Sequence, residues 1–154
     1  MGKVIINSYA EFEKYVGEEI GVSDYHKVTQ EQINQFANAT LDYQWIHVDG
    51  ERAGKESPYG ATIAHGYLSI SVLPYLWNQI IEVNNISMLV NYGIENLKFG
   101  HPVVVNSEVR IRTVLKSLIN LRGTAKAEVG VVMEIKDSKK PAYKGVIVFL
   151  YQFK

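Results

Sequence analysis

The sequence contains no cysteine among its 154 residues. This absence excludes disulfide bonds, zinc sites built on thiolates and a cysteine nucleophile. A chain of this length buries roughly two-thirds of the surface that it exposes when unfolded, so it needs neither disulfides nor a metal to fold. The length predicts a single domain that spans residues 1–154.

The sequence also lacks an excess of charge of either sign, because Lys and Arg number 16 and Asp and Glu number 16. Such a balance does not favour nucleic acid as a partner. Long hydrophobic runs are lacking as well, since the longest candidate, residues 67–83, is interrupted by Pro74 and several polar residues. We therefore expect no nucleic-acid partner, no membrane segment and a cytoplasmic location.

Two capping-box patterns predict helices in the first third of the chain. Ser8 is followed three residues later by Glu11, and Thr29 is followed in the same way by Gln32. Apolar residues then recur at helical spacing in both segments. The predicted helices are residues 9–16 and 30–40.

The most apolar stretch, residues 67–81, predicts a central helix whose apolar side chains occupy nearly every face. A helix that is apolar all round is buried. Pro74 predicts a kink or a bend within it. Residues 41–49, before this helix, are predicted to be irregular and residues 57–60 to be a loop.

The last third of the chain has the pattern of strands, with alternating polar and apolar residues in 108–115. A polar cluster at residues 136–141 predicts a hairpin turn. Short turns require antiparallel pairing, so an antiparallel sheet is expected to wrap around the apolar helix in an α+β architecture. The predicted strands are residues 20–28, 91–99, 108–115, 121–135 and 142–153.

Asp42, His47 and the pair His65-Gly66 carry most of the chemical information in the sequence. A carboxylate and an imidazole five residues apart on an irregular segment can hold one water and move protons in both directions. The glycine permits close approach of the backbone, and an N–H at the start of a helix suits an acyl oxygen that becomes an enolate.

Each of these residues taken singly has a structural explanation. Asp49 is predicted to cap a short helical turn over residues 51–55. His65 can serve only to hold its loop by a hydrogen bond, and His26 and His101 are interpreted as structural. A metal site is a further alternative, although the spacing matches no helical zinc motif. Its possible ligands are Asp42, His47, Asp49 and His65.

Residues 42–49, Asp-Tyr-Gln-Trp-Ile-His-Val-Asp, followed by residues 62–68, Thr-Ile-Ala-His-Gly-Tyr-Leu, resemble the MaoC-like dehydratase family. That family shows an Asp, then commonly Asn-Pro, an aliphatic residue and His, and later a His-Gly pair that opens the central helix. Both stretches, and also residues 91–99 and 102–105, are more similar still to the nodulation-protein-N-like branch. The resemblance covers about residues 29–115.

The resemblance implies a hot-dog fold, in which an antiparallel sheet wraps around one long helix. It implies (R)-specific hydration of (2E)-enoyl-CoA to (3R)-hydroxyacyl-CoA, or the reverse dehydration, in fatty acid metabolism. The expected partner is an acyl-CoA or acyl-carrier-protein thioester, and no metal or redox cofactor is expected. Members of the family are usually dimers, so a homodimer or higher homo-oligomer is expected here.

The same resemblance implies a role for each site residue. Asp42 and His47 would be the catalytic pair that holds the water. The Gly66 amide, beside His65, would donate to the thioester oxygen. Tyr43 and Tyr59 are predicted to line the acyl tunnel.

The sequence departs from the family pattern at two places. Leu41 stands where the residue before the Asp is commonly Gly. A leucine does not readily take a positive φ, so we expect a shifted loop or a narrowed pocket. Gln44-Trp45 replaces Asn-Pro. Two other functions stay open: a hot-dog acyl-CoA thioesterase, and a non-enzymatic accessory protein that binds acyl thioesters.

Overall fold

The computed structural model describes residues 2–154, and Met1, the first residue of the predicted domain, lies outside this part of the chain. Its strands are β1 (Val4–Ile6), β2 (Glu19–Val22), β3 (His26–Lys27), β4 (Ile81–Val83), β5 (Ile86–Phe99), β6 (Glu108–Leu121), β7 (Thr124–Ile135) and β8 (Tyr143–Phe153). Its helices are α1 (Tyr9–Glu13), α2 (Gln30–Thr40), α3 (Trp45–Val48), α4 (Gly50–Glu56), α5 (Gly66–Ser71) and α6 (Leu73–Ile80).

A six-stranded antiparallel sheet forms the framework of the fold. Its strands lie in the order β2-β6-β7-β8-β5, and β3 also pairs with β6. Along β6 and β7, buried residues alternate with half-buried ones, as expected for strands with one face on the core. The predicted antiparallel sheet is therefore confirmed. A separate parallel pair joins β1 to β4.

The predicted strand over residues 121–135 is wrong at its start, because a two-residue turn interrupts it. Arg122 and Gly123 have φ values of 56° and 94°. Two successive positive φ values are typical of tight hairpin turns, whose twist matches that of the flanking strands. The side-chain oxygen of Asn120 accepts a hydrogen bond from the Gly123 N–H at 2.9 Å. As a result, β6 extends to Leu121, beyond its predicted end at residue 115.

The two predicted N-terminal helices begin at their predicted caps. Ser8 Oγ accepts from the Glu11 N–H at 3.2 Å, and Thr29 Oγ1 accepts from the Gln32 N–H at 3.2 Å. α1 is shorter than predicted and continues as turns.

The predicted strand over residues 20–28 is split into β2 and β3. The side-chain hydroxyl of Ser23 accepts a hydrogen bond from the Ile111 N–H at 3.0 Å. In a regular strand pairing, a backbone carbonyl of the neighbouring strand would accept this hydrogen bond. A serine side chain can compete with the backbone in this way. The pairing with β6 is therefore interrupted between the two short strands.

The predicted central helix is broken into α5 and α6 at Val72. Pro74 lies in the first turn of α6, and a proline has no N–H to donate to the carbonyl of Ile70. The predicted kink at Pro74 is thus confirmed, and it takes the form of a break just before the proline.

The sheet covers only one face of α5 and α6, so the prediction of a helix buried on all sides is wrong. On the other face, Tyr67 and Tyr75 are 73% and 57% exposed. A single curved sheet can wrap only the side that it packs against. The residues buried against it include Leu68, Leu73, Leu76, Trp77 and Ile80.

The helices are short, and α2 has 11 residues. Within residues 2–154, no helix is both long enough and apolar enough to cross a membrane. The cytoplasmic location stays a prediction.

A buried hydrogen bond connects α6 to the sheet. The indole Nε1–H of Trp77 donates to Tyr151 Oη at 2.7 Å, and both side chains are buried. The Trp77 ring also stacks on Phe149 with 5.8 Å between ring centroids. Burial raises the pKa of Tyr151 well above its usual range, so its hydroxyl stays protonated. This bond holds the central helix at a defined place on β8.

Replacing Tyr151 by phenylalanine should lower the free energy of unfolding by about 1–3 kcal/mol, because the Trp77 N–H would be buried without an acceptor. Chemical denaturation followed by circular dichroism measures this change. Tyr75→Phe is the matched control, since it makes the same chemical change at an exposed tyrosine on α6, the helix that carries Trp77. It should change the free energy of unfolding by less than about 0.5 kcal/mol. Equal effects of the two substitutions would contradict the role given to the buried bond.

Candidate active site

A cavity of about 350 Å³ opens beside the first turn of α5. Asp42, His47, His65 and Gly66 all line it. The structure therefore brings the predicted catalytic pair and the His-Gly pair into one space. Phe99, the last residue of β5, and residues 100–103 after it also line the cavity.

Leu41 ends α2 in the left-handed backbone conformation, with φ 63° and ψ 23°. For a leucine this conformation costs about 1–2 kcal/mol, because its Cβ crowds the following carbonyl. The side chain is 74% exposed, so its packing does little to offset the strain. Leu41 thus takes the positive φ that a leucine does not readily adopt, and the expected shift of the loop or narrowing of the pocket stays a prediction. The chain keeps the left-handed turn at an energetic cost, and Asp42 follows it at the cavity.

Asp42 presents an exposed carboxylate to the cavity. Its Oδ1 accepts a long hydrogen bond, 3.4 Å, from the Gln44 N–H, so most of its capacity to accept remains free. Ligand atoms of Asp42, His47 and His65 lie within 4.8 Å of one another. One water can bridge such a separation by two hydrogen bonds of about 2.8 Å each.

His47 lies on α3, a single helical turn within the stretch that was predicted to be irregular, and is 7% exposed. Its Nδ1 is 2.7 Å from the carbonyl oxygen of Ile63. Because a carbonyl can only accept, Nδ1 carries the hydrogen, and the neutral ring keeps its lone pair on Nε2. Gln30 Nε2 donates to the His47 carbonyl at 2.8 Å and so connects α3 to α2.

The pKa of His47 is lowered from its ordinary value of 6.5, mainly by burial. The hydrogen bond to Ile63 opposes this shift, the neighbouring His65 adds to it, and Asp42 opposes it. The lowered pKa favours the neutral imidazole. At neutral pH, His47 therefore offers an unprotonated Nε2 as a proton acceptor.

Gly66, the first residue of α5, lies against the ring of Phe99. A Cβ on Gly66 would lie 2.8 Å from a Phe99 ring carbon, so any side chain here would force the ring away. As the first residue of a helix, Gly66 has no acceptor for its N–H within that helix. The absence of a side chain at Gly66 thus lets another group approach its backbone closely, and in this structure that group is the Phe99 ring.

The Asp42, His47 and His65 group also offers three possible metal ligands. The rings of His47 and His65 are stacked, with 3.9 Å between centroids and 25° between planes. The lone pairs of imidazole nitrogens lie in the ring plane, so two nearly parallel rings do not converge on one ion at the roughly 2.0 Å that zinc requires. The donor set suits proton transfer better than metal coordination. Asp49, the fourth possible ligand, caps α4 as predicted.

Tyr43 and Tyr59 do not line this cavity and are 53% and 44% exposed. Their predicted contribution to an acyl tunnel stays a prediction. Both lie outside the regular elements, and the aromatic lining comes instead from Tyr67 and Phe99.

Two site residues went unrecognised in the sequence. His101, interpreted as structural, lines the cavity, while its backbone N–H donates to the Pro141 carbonyl at 2.9 Å. Gln30, at the start of α2, holds the carbonyl of His47. The signal that could have revealed His101 is its position between two segments that resemble the family branch. Gln30 had no such signal, because its partner lies 17 residues away.

Comparison with known proteins gives consistent matches. The MaoC-like domain family matches residues 11–136. The 3-hydroxyacyl-thioester dehydratase Z of Mycobacterium tuberculosis is 43% identical over 136 residues, covering 88% of this chain and 89% of that protein. Nodulation protein N of Rhizobium leguminosarum bv. viciae is 38% identical over 149 residues, covering 95% of this chain and 92% of that protein.

Among solved structures, the unliganded R-hydratase PhaJ1 from Pseudomonas aeruginosa has a similar fold, with a TM-score of 0.76 at 17% identity. The match covers 95% of this chain and 86% of that chain. The predicted α+β hot-dog fold is thereby confirmed. With the family match over residues 11–136, it follows that the chain belongs to the MaoC-like dehydratase family.

Proposed function

We propose that this chain catalyses the (R)-specific hydration of (2E)-enoyl-CoA to (3R)-hydroxyacyl-CoA, or the reverse dehydration. Family membership and the 43% identity to a 3-hydroxyacyl-thioester dehydratase support a hydratase or dehydratase, a lyase, of acyl thioesters. The CoA carrier and the R configuration are the finer parts of the proposal. It rests chiefly on one observation: the Asp42 carboxylate and the His47 imidazole meet within 4.8 Å in one cavity beside Gly66.

The hydrogen bonding of His47 supports its role as the base. In the hydration direction, one water donates to the Asp42 carboxylate and to His47 Nε2. Nε2 takes a proton as the water oxygen bonds to C3, and the C2–C3 π electrons move toward the thioester carbonyl to form an enolate. The imidazolium then gives the proton to C2. The product thus gains both H and OH from one water.

The enolate oxygen requires a donor, and we propose the N–H of Gly66, a residue that lines the same cavity and has no acceptor for this N–H within α5. One donor of this kind contributes about 2.7–4 kcal/mol to stabilisation of the transition state. Every step is a proton transfer or a carbon–oxygen bond change. We therefore propose that the reaction uses no metal or redox cofactor.

Asp42→Asn and His47→Ala should each lower kcat/KM for crotonyl-CoA hydration by roughly 10²–10⁴-fold. Asp42→Asn replaces the charged acceptor of the attacking water with a neutral amide oxygen, and His47→Ala removes the base. Loss of absorbance from the conjugated thioester measures the rate, and circular dichroism checks the fold. Asp49→Asn is the matched control. It makes the same chemical change on a nearby residue that caps α4, and asparagine is an equally good cap.

Full activity in both Asp42→Asn and His47→Ala would refute the assignment. A free-thiol assay on the same samples tests the alternative of a thioesterase. Saturable binding of acyl-CoA without turnover of either kind would instead identify a non-enzymatic binding protein.

The acid limb of the kcat/KM profile should have its midpoint below 6.5, because burial lowers the pKa of His47 from that value and the base must be neutral. The contribution of His47 to the free energy of unfolding depends on pH in the same direction. The folded state favours neutral His47, so its contribution is complete above 6.5 and is lost as the pH falls through the lowered pKa. A His47→Gln variant should lack this component in pH-dependent denaturation. An acid limb centred above 6.5 would contradict the proposed role.

We also propose that the chain forms a homodimer through β5. This 14-residue strand pairs with β8 along one edge, and its other edge has no partner strand within residues 2–154. A long, exposed, apolar edge strand tends to pair with another chain, and a twofold axis lets a second β5 pair antiparallel to the first. Its exposed apolar residues are Met88, Leu89, Val90, Tyr92, Ile94 and Phe99.

Ile94→Arg should convert the dimer to a single chain, because it buries an unpaired charge in the proposed interface. Light scattering coupled to size-exclusion chromatography gives the mass directly. Ile5→Arg is the matched control, since Ile5 is similarly exposed, 48% against 54%, but lies on β1. A wild-type mass of one chain, or a dimer that survives Ile94→Arg, would refute the proposed interface.

A further inference from the structure

His65 contacts both members of the proposed catalytic pair. Its Nε2 lies 3.0 Å from the backbone carbonyl oxygen of Asp42. Its ring stacks on His47, with 3.9 Å between centroids. The side chain is 2% exposed, so neither contact competes with bulk solvent. One buried imidazole thus touches the loop that carries the carboxylate and the ring that carries the base.

We propose that His65 is a positioning residue, which holds Asp42 and His47 at the spacing that the shared water requires. The role rests on the proposed hydratase function, because it concerns the same water. A carbonyl can only accept, so His65 Nε2 carries the hydrogen and donates it to Asp42. With Nε2 engaged in this way, the only N–H of the neutral His65 ring acts on Asp42 rather than on the substrate.

The strain at Leu41 explains why the Asp42 loop needs such a contact. A left-handed leucine persists only where the surrounding structure holds it. The carbonyl held by His65 belongs to the very next residue, and it is one bond from the Cα that bears the carboxylate. Loss of this hydrogen bond would let the backbone relax toward an unstrained conformation, and the carboxylate would move with it.

The position is costly for a histidine if only stability is considered. Within residues 2–154, His65 Nδ1 is buried and has no hydrogen-bond partner. An unpaired buried polar atom costs about 1–3 kcal/mol. His65 also makes no side-chain bond to the start of α5, where it is the capping residue. The His65 ring also packs against Phe36, with 4.9 Å between ring centroids. A leucine could pack against Phe36 and His47 without that cost, but it could not hold Asp42.

The test compares His65→Leu, which removes the donor, with His65→Gln, whose amide N–H can reach the same carbonyl. His65→Leu should lower kcat for crotonyl-CoA on the order of 10–100-fold with little change in KM, because a small misplacement of reacting groups has an effect of this size. His65→Gln should restore most of the rate. His26→Leu is the control, because it removes an imidazole that bonds Gln32 at 2.8 Å outside the cavity.

A second measurement does not depend on turnover. The amide nitrogen of Tyr43 is bonded to the Asp42 carbonyl, so its NMR signal reports the contact directly. The signal should move in His65→Leu and return toward its wild-type position in His65→Gln. If His65→Leu does not fold, His65→Asn replaces it, since an asparagine amide is too short to reach the carbonyl.

Two results would overturn the proposal: a folded His65→Leu protein with wild-type kcat, or a Tyr43 signal that does not move in that variant. Absence of hydratase activity in the wild-type protein would instead refute the proposed function. In that case the Tyr43 signal still decides whether His65 holds the Asp42 loop.

Discussion

The extended segment of residues 62–65 is hydrogen-bonded along both of its sides, and the candidate site depends on it. On one side, the Ala64 N–H donates to the Val103 carbonyl at 2.8 Å. On the other side, the Ile63 carbonyl accepts from His47 Nδ1 at 2.7 Å. The same segment leads directly into α5, which packs on the sheet. Because these bonds fall on two adjacent residues, Ile63 and Ala64, the base, the amide donor and the cavity wall are held at fixed positions relative to one another.

The bond between His47 and Ile63 also sets the chemistry of the site. It places the ring hydrogen on Nδ1 and leaves Nε2 to accept a proton, while burial of the ring favours the neutral form. Asp42 differs, because its carboxylate is exposed and its backbone is held by a second histidine. Two groups with different surroundings therefore share one small space, as general acid–base chemistry requires.

Two features of a single chain, the open face of α5–α6 and the open edge of β5, lie beside each other. Ile70 and Pro74 from the helices and Tyr92 and Ile94 from β5 line one cavity of about 670 Å³. The helices and the exposed strand therefore share one cavity with largely apolar walls. An exposed apolar region of this kind is typical of a chain that associates with another. It arises because one sheet covers only one face of a helix whose apolar residues occupy nearly every face.

Local patterns in the sequence determined the capped helices and the alternating strands, because each depends on residues close together in the chain. The resemblance to a family, rather than a local pattern, linked Asp42 and His47 to His65-Gly66. Contacts between distant residues decided the rest. The turn at Arg122–Gly123 follows from the pairing of two long strands, and the ring orientation of His47 follows from a carbonyl 16 residues away. The left-handed Leu41 contradicts its local preference, because tertiary contacts outweigh a local strain of about 1–2 kcal/mol. Only the folded chain could show this, since no local pattern contains the partners that supply that energy.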